Sequence, residues 1–265
     1  MRYFRIFILY FEHVLQHRAR TFVWFLVSLL NPLIFILFWR GAFQASSGAI
    51  VGWTMSTITS YYFLLTAVSS SLMSHIEEDV WRYDIQEGEL VQYLLKPFSY
   101  FWLKFFSEIH YRILQGFYVV IVLIIINTVF GRIIVITQDK NLLLYAIIIA
   151  VLAYLVSFIF KMIVGFIAFW TTDLYGIYDL LDIVMVVFAG YIVPINMLFE
   201  PVRTTAYLLP FSYMIYFPVL ALQGKLSPTE ISRVIGYQVI WLIVFIGLYL
   251  LLWKKGIKKF TGVGQ

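Results

Sequence analysis

The sequence predicts an all-α integral membrane protein of six transmembrane helices, with an N-terminal interfacial helix, a charged cytoplasmic helix after the second span and an outer re-entrant helical hairpin before the last. Three observations predict it. Of 265 residues, 62% are hydrophobic and only 12% charged, at a mean hydropathy of +0.90. Soluble globular chains carry about 25% charged residues, so the charge that would solvate a body of this size is missing. Long apolar runs recur at the length of about 20 residues that a helix needs to cross a bilayer. They lack the period-two alternation of barrel strands, which are about ten residues each. A water-soluble enzyme and a nucleic-acid-binding chain are excluded. The formal charge of +5 instead reads as lysine and arginine facing anionic lipid. Cysteine is absent, which removes disulfides, thiolate catalysis and Cys-ligated metal.

The whole chain, residues 1–265, reads as one transmembrane domain. Residues 1–20 form an interfacial helix. Arg2, Arg5, Glu12, His13, Gln16, His17 and Arg20 share one side, and Tyr3, Phe4, Phe7, Tyr10, Phe11, Val14 and Leu15 the other. An amphipathic helix of this kind lies in the headgroup plane. His13 and His17 have the i, i+4 spacing of a metal pair, but no third ligand lies near them, and membrane-surface polarity accounts for both.

The spans fall at Thr21–Trp39, Val51–Met73, Leu103–Phe130, Leu142–Trp170, Ile177–Phe199 and Val234–Trp253. Asn31-Pro32 should loosen or kink the first. An even number puts both termini on one side. Arg2, Arg5, Arg18 and Arg20 at one end, with Lys254, Lys255, Lys258 and Lys259 at the other, make that side cytoplasmic. Lys161 lies within the fourth run, where a charge costs about 2.5–3.5 kcal/mol at mid-bilayer on insertion scales. It is expected to snorkel and to pair with Asp173, Asp179 or Asp182.

Two segments are not simple spans. In the cytoplasmic stretch 75–97, HIEEDVWRYDIQEGELVQYLLKP, residues Glu77, Glu78, Asp79, Arg82, Glu87 and Glu89 make a charged helical piece. Gly88 interrupts it, and Leu90, Val91, Leu94 and Leu95 continue as an apolar stripe until Lys96-Pro97 ends it. Such a segment suits docking of a cytoplasmic partner, and a solvated connector is the other reading. In residues 190–224, Pro194, Pro201, Pro210 and Pro218 account for four of the seven prolines. Proline costs about 3 kcal/mol or more inside a helix, and the pieces between prolines are too short to cross about 30 Å. A re-entrant hairpin at 200–224 satisfies both facts if its freed backbone groups are buried in protein or line a cavity, and a surface hairpin is the other reading.

No GxxxxGK[ST] phosphate loop occurs, and the four histidines assemble no metal motif. Glu77, Glu78 and Arg82 spell EExxxR, which resembles one motif of membrane-embedded prenyl-protein proteases. That family also needs histidines from later helices, and none follows His110. The competing readings are a stand-alone secondary transporter or channel, which calls for membrane-buried ion-coupling acids, and a membrane-embedded hydrolase, which calls for a nucleophile and base.

This layout resembles the ABC-2 type permeases, the membrane subunits of ATP-driven exporters. Two strings sharpen the likeness toward the branch that includes daunorubicin-type permeases. Ile85–Phe98, IQEGELVQYLLKPF, is similar to I-x-x-G-x-L-x-x-x-L-L-[RK]-P, and Thr205–Val219, TAYLLPFSYMIYFPV, is similar to L-P-F…Y-x-P. The chain departs from the family at Phe199-Glu200-Pro201, where the resemblance implies a proline earlier than Pro201. The resemblance implies that 75–97 is a coupling segment seated on an ATP-binding subunit, with Glu77, Glu78, Asp79, Arg82, Glu87 and Glu89 as contacts and Gly88 allowing the bend. It implies no catalytic residue, metal or cofactor in this chain, ATP and Mg being held by the partner. It also implies two copies of that ATPase, a second permease protomer that is identical or paralogous, surrounding membrane lipid and a place in the cell membrane. Phe211, Tyr213 and Tyr216 are then the candidate outer gate, and the direction is export.

Overall fold

The computed structural model describes residues 2–16, 18–45, 50, 52–129, 131 and 133–261. The side chains of Arg2, Tyr3, Phe4, Arg5, His13, Val14, Arg18, Arg20 and Trp24, and the whole of His17, lie outside what is described. The proposed histidine pair and much of the basic side of the first helix therefore lie outside it too. The described residues are helical and include no strand beyond an isolated bridge between Ile50 and Trp53.

The helices in chain order are α1 (Arg2–Gln16), α2 (Arg18–Ser28), α3 (Leu30–Ala45), α4 (Met55–Leu72), α5 (Ile76–Glu78), α6 (Leu90–Leu94), α7 (Tyr100–Val129), α8 (Lys140–Phe166), α9 (Tyr175–Phe188), α10 (Glu200–Leu208), α11 (Phe211–Met214), α12 (Tyr216–Leu222) and α13 (Pro228–Gly256). Between α5 and α6 the chain widens into a π-helix, Asp79–Gln86. Helix α8 packs along α13 at the centre, α4 lies against α7 and α3, and α1 and α2 lie against α7.

Four described helices are long and apolar enough to cross a membrane: α2–α3 taken as Thr21–Ala45, α7, α8 with its terminal turn, and α13. A fifth follows if α10 and the α11–α12 pair, bent by 66°, count as one. The expected six are not reached by length and composition, for two reasons. Helix α4 interrupts its apolar residues with Ser, Thr and Tyr, of which Ser60, Tyr61, Tyr62, Thr66 and Ser70 are buried inside the protein. Helix α9 stops at Phe188 instead of running to Phe199. Past it, Gly190 takes φ +85°, a left-handed conformation that favours glycine, and a Cβ there would lie 2.7 Å from Tyr61 Oη.

The first span breaks where Asn31-Pro32 foretold, with α2 ending at Ser28 and α3 starting at Leu30. Proline 32 sits in the first turn of α3, where its missing N–H costs nothing to the helix it begins. Helix α1 does not face lipid alone. Phe7 packs on the His110 ring at 4.0 Å and edge-on to Phe106, so its aromatic side covers α7.

Candidate functional site

The segment 75–97 is a strut with one face bolted to the bundle. On α8, Ser157, Lys161 and Gly165 stand at i, i+4 and i+8, one row down a helix face. Ser157 Oγ accepts from the Ser74 backbone N–H at 2.9 Å. Lys161 Nζ donates to Glu77 Oε1 at 2.5 Å, with both side chains buried. At Gly165 the chain comes so close that a Cβ would meet Val80 Cβ at 2.7 Å. Lysine 161 thus pairs with Glu77 and not with Asp173, Asp179 or Asp182. Those acids lie near the start of α9, and Asp173 is engaged in accepting from the Tyr175 N–H. Lys161 also lies 5.3 Å from the Tyr178 ring of α9, but its ion-pair contact is with Glu77 on α5.

A second row does the same on α7, at Lys104, Glu108 and Arg112. Lys104 Nζ lies 2.6 Å from Asp84 Oδ2, which also accepts from Tyr100 Oη at 2.5 Å. Glu108 accepts from the His75 backbone N–H at 3.0 Å and from Arg112 Nε at 2.7 Å. Arg112 in turn reaches the Ser70 carbonyl and His75 Nδ1. Burial pushes the carboxyls of Glu77 and Asp84 above the usual carboxylate range, against the opposing pull of Lys161 and Lys104. Each charge is therefore expensive to bury and depends on its partner. Two further ties reach the α8–α9 connection, Trp81 edge-on to Tyr175 at 5.1 Å and Gln86 Nε2 to the Thr172 carbonyl at 2.5 Å.

The other face of the strut is open. Glu78, Asp79, Arg82, Glu87 and Glu89 are exposed, with Arg82 between Glu78 at 3.6 Å and Glu87 at 3.7 Å. Glycine 88 turns the chain with φ +83°, and Val91, Leu94 and Leu95 of α6 continue the surface as exposed apolar groups. The six charged candidates therefore divide. Glutamate 77 is fully buried and anchors the strut from within, so it offers no surface for a partner. The other five stand outward. The π-helix that carries Asp79, Arg82 and Asp84 is wider than an α-helix and is confirmed by the Glu87 N–H donating to the Arg82 carbonyl five residues back. Such turns occur mostly singly, and frequently at functional sites.

At the other end of the bundle, about 27 Å away along the 18 residues of α4, lies a cavity of about 680 Å³. Tyr213 and Tyr216 line it, both buried, together with half-buried Tyr207 and Tyr237. Tyr213 stacks on Tyr237 at 5.2 Å and donates from Oη to the Tyr207 carbonyl at 2.6 Å. Phe211 is not among the lining residues. It packs edge-on against Phe160 of α8 at 5.6 Å. Trp53, Lys225, Glu230 and Arg233 also line the cavity.

Sequence reasoning missed the residues that hold this end together. Tyr61 Oη donates to the Gly190 carbonyl and Tyr62 Oη to the Ile192 carbonyl, each at 2.7 Å. The buried Gln238 amide donates to the carbonyls of both Ile149 and Tyr213 at 3.0 Å, joining α8, α11 and α13. A glutamine inside an otherwise apolar run was the visible sign.

None of the curated proteins or solved structures compared with the chain matches it. The sequence model described as "ABC-2 family transporter protein" does match, over residues 29–264, and the chain therefore belongs to this family of ABC-transporter membrane permeases.

Proposed function

We propose that the chain is the permease subunit of an ABC-2 type exporter, driven by a separate ATPase that docks on the open face of the strut. Glu78, Asp79, Arg82, Glu87 and Glu89 make the contact, Gly88 sets its bend, and Glu77 holds the strut from behind. The single observation that carries this reading is the division of one short segment into a buried, ion-paired face and an exposed, acidic one. A connector needs neither. A surface that receives force needs both, because a contact that is not tied to the bundle moves without moving it. The ties run to α7, α8 and the start of α9, so displacement of the strut displaces three helices.

In this reading the protein sits in the cell membrane with both termini and the strut cytoplasmic. Helices α4 and α9 complete six crossings, α4 with Ser60, Tyr61, Tyr62, Thr66 and Ser70 buried against protein. Two permease protomers, identical or paralogous, work with two copies of the ATP-binding subunit, which hold the ATP and Mg. The bent α10–α12 unit forms the outer end of the pathway, with Tyr213 and Tyr216 at the cavity wall and Phe211 bracing them against α8.

The test is co-purification of the chain with a co-expressed ATP-binding subunit. Glu78→Lys combined with Glu87→Lys should abolish the complex and leave the permease folded. Undiminished assembly would sink the docking assignment.

A further inference from the structure

The outer cavity is more than a gap between helices. Its walls are stacked aromatic rings: Tyr213 lies at 25° to Phe217 at 4.8 Å and at 22° to Tyr237 at 5.2 Å, and Tyr207 lies at 30° to Tyr216. Rings aligned in this way present faces and edges to a flat or apolar guest. The volume of about 680 Å³ falls within the range of about 300–1,000 Å³ usual for small-molecule sites.

The charges at the margin are unequal in what they have left to offer. Glu230 is already used. Its carboxylate accepts from the Ser227 N–H at 2.8 Å and the Ser227 hydroxyl at 2.6 Å, closing the capping box of α13. Lys225 and Arg233 form no ion pair among the described residues, and both are exposed. Lys225 lies with Nζ 3.3 Å from the centroid of the Trp53 ring, and Trp53 is itself fixed by donating from Nε1 to Asn196 Oδ1 at 3.2 Å. Partial burial brings the Lys225 ammonium down to about 8, so it still carries its charge at neutral pH. The N-terminus of α13 adds positive potential at the same margin. The margin thus combines two cations that make no ion-pair contact among the described residues and one carboxylate held by a cap, with Arg233 close enough to Glu230 to act on it electrostatically.

We infer that this cavity is a binding site for an amphipathic organic anion, whose aromatic or acyl body lies against Tyr207, Tyr213 and Tyr237 and whose carboxylate or phosphate meets Lys225 and Arg233. The inference deepens the outer-pathway reading and does not rest on ATPase docking. Binding to the isolated chain can therefore fail while assembly succeeds, or the reverse.

The experiment is equilibrium binding of 2-naphthoate and its neutral analogue 2-naphthamide to the purified full-length chain in detergent. The acid should bind about tenfold more tightly than the amide, the scale expected of a charge-assisted contact. Lys225→Gln with Arg233→Gln should remove that preference, bringing the affinity for the acid down to that for the amide, and Tyr237→Ala should weaken both ligands. Equal binding of acid and amide by the unaltered chain would overturn the inference without any variant having to fold. So would a preference that survives the double substitution. The same measurement in phosphatidylcholine nanodiscs, with and without phosphatidylglycerol, separates two sources of the anion. Weaker naphthoate binding in the anionic discs supports the site with a lipid headgroup as occupant, and equal binding supports it with a free amphiphile.

Discussion

The two ends of the bundle are built from the same helices and held together by different chemistry. At the strut, α7 and α8 each present a row at i, i+4 and i+8 whose charged members close on groups of 75–97. At the cavity, α4 presents Tyr61 and Tyr62, whose hydroxyls hold backbone carbonyls of the 190–192 turn, and aromatic stacks do the remainder. Buried ion pairs are stiff in effect, since separating them exposes two desolvated charges. Stacked rings remain favourable over centroid separations of about 4.5–7 Å, so they can slide. One end is suited to passing on a displacement and the other to absorbing one, which is the order an ATP-driven pathway needs.

The largest test of this contrast is removal of one buried partner. Glu77→Ala leaves Lys161 without its carboxylate and should destabilise the protein by about 3–5 kcal/mol, read as a lowered thermal midpoint in detergent. The double substitution Glu77→Leu with Lys161→Met should recover most of the loss, because a buried pair replaced by apolar groups of similar size is often neutral. If the double variant is as damaged as the single one, the pair is not what holds the strut.

A packing change should come next in size. Gly165→Ala places a methyl group 2.7 Å from Val80 Cβ and 3.1 Å from the Glu77 carbonyl, where neither neighbour has a flexible end to move aside. Overpacking of this kind costs about 1–3 kcal/mol. Transport coupled to ATP should fall more steeply than stability, since the strut is lifted from α8. An unaltered melting midpoint would show that the strut is seated more loosely than the geometry implies.

The counterpart at the cavity end is milder. Tyr61→Phe removes one hydrogen bond to the Gly190 carbonyl, and a neutral bond of this kind contributes about 0.5–1.5 kcal/mol. The same thermal measurement ranks it against Glu77→Ala. A loss equal to that of Glu77→Ala would erase the distinction between a stiff end and a yielding one.

What the sequence made legible follows the range of the interactions. Local features were visible: the turn at Gly88, the stop at Lys96-Pro97, the break at Asn31-Pro32 and the proline-cut segment before the last helix. Lys161 was visible as a misfit, but its partner lies 84 residues away, and the acids nearer in sequence drew the pairing toward themselves. The row Ser157, Lys161, Gly165 was the trace that could have directed it to α5, since small and polar residues one turn apart mark a face that another segment approaches. The π-helix left no such trace, because a change from four- to five-residue hydrogen bonding has no composition of its own. Likewise Tyr213 and Tyr216 were separable from Phe211 only once the bend at Pro210 had aimed them into the cavity and Phe211 into α8.

The smallest expected effect on stability is also the sharpest division within the strut. Glu78 follows Glu77 directly in the chain, yet one faces solvent and the other is buried against Lys161. Glu78→Lys gives up an exposed contact with Arg82 at 3.6 Å, and Arg82 keeps Glu87 at 3.7 Å on its other side. Exposed ion pairs contribute about 0–1 kcal/mol, and surface substitutions away from special features fall within about 0.5 kcal/mol. Thermal stability should therefore stay near that of the unaltered chain, with any deficit appearing only when the ATP-binding subunit is present. A permease that melts early with Glu78→Lys would place the exposed acids among the anchors, and the strut would then have no face to spare for a partner.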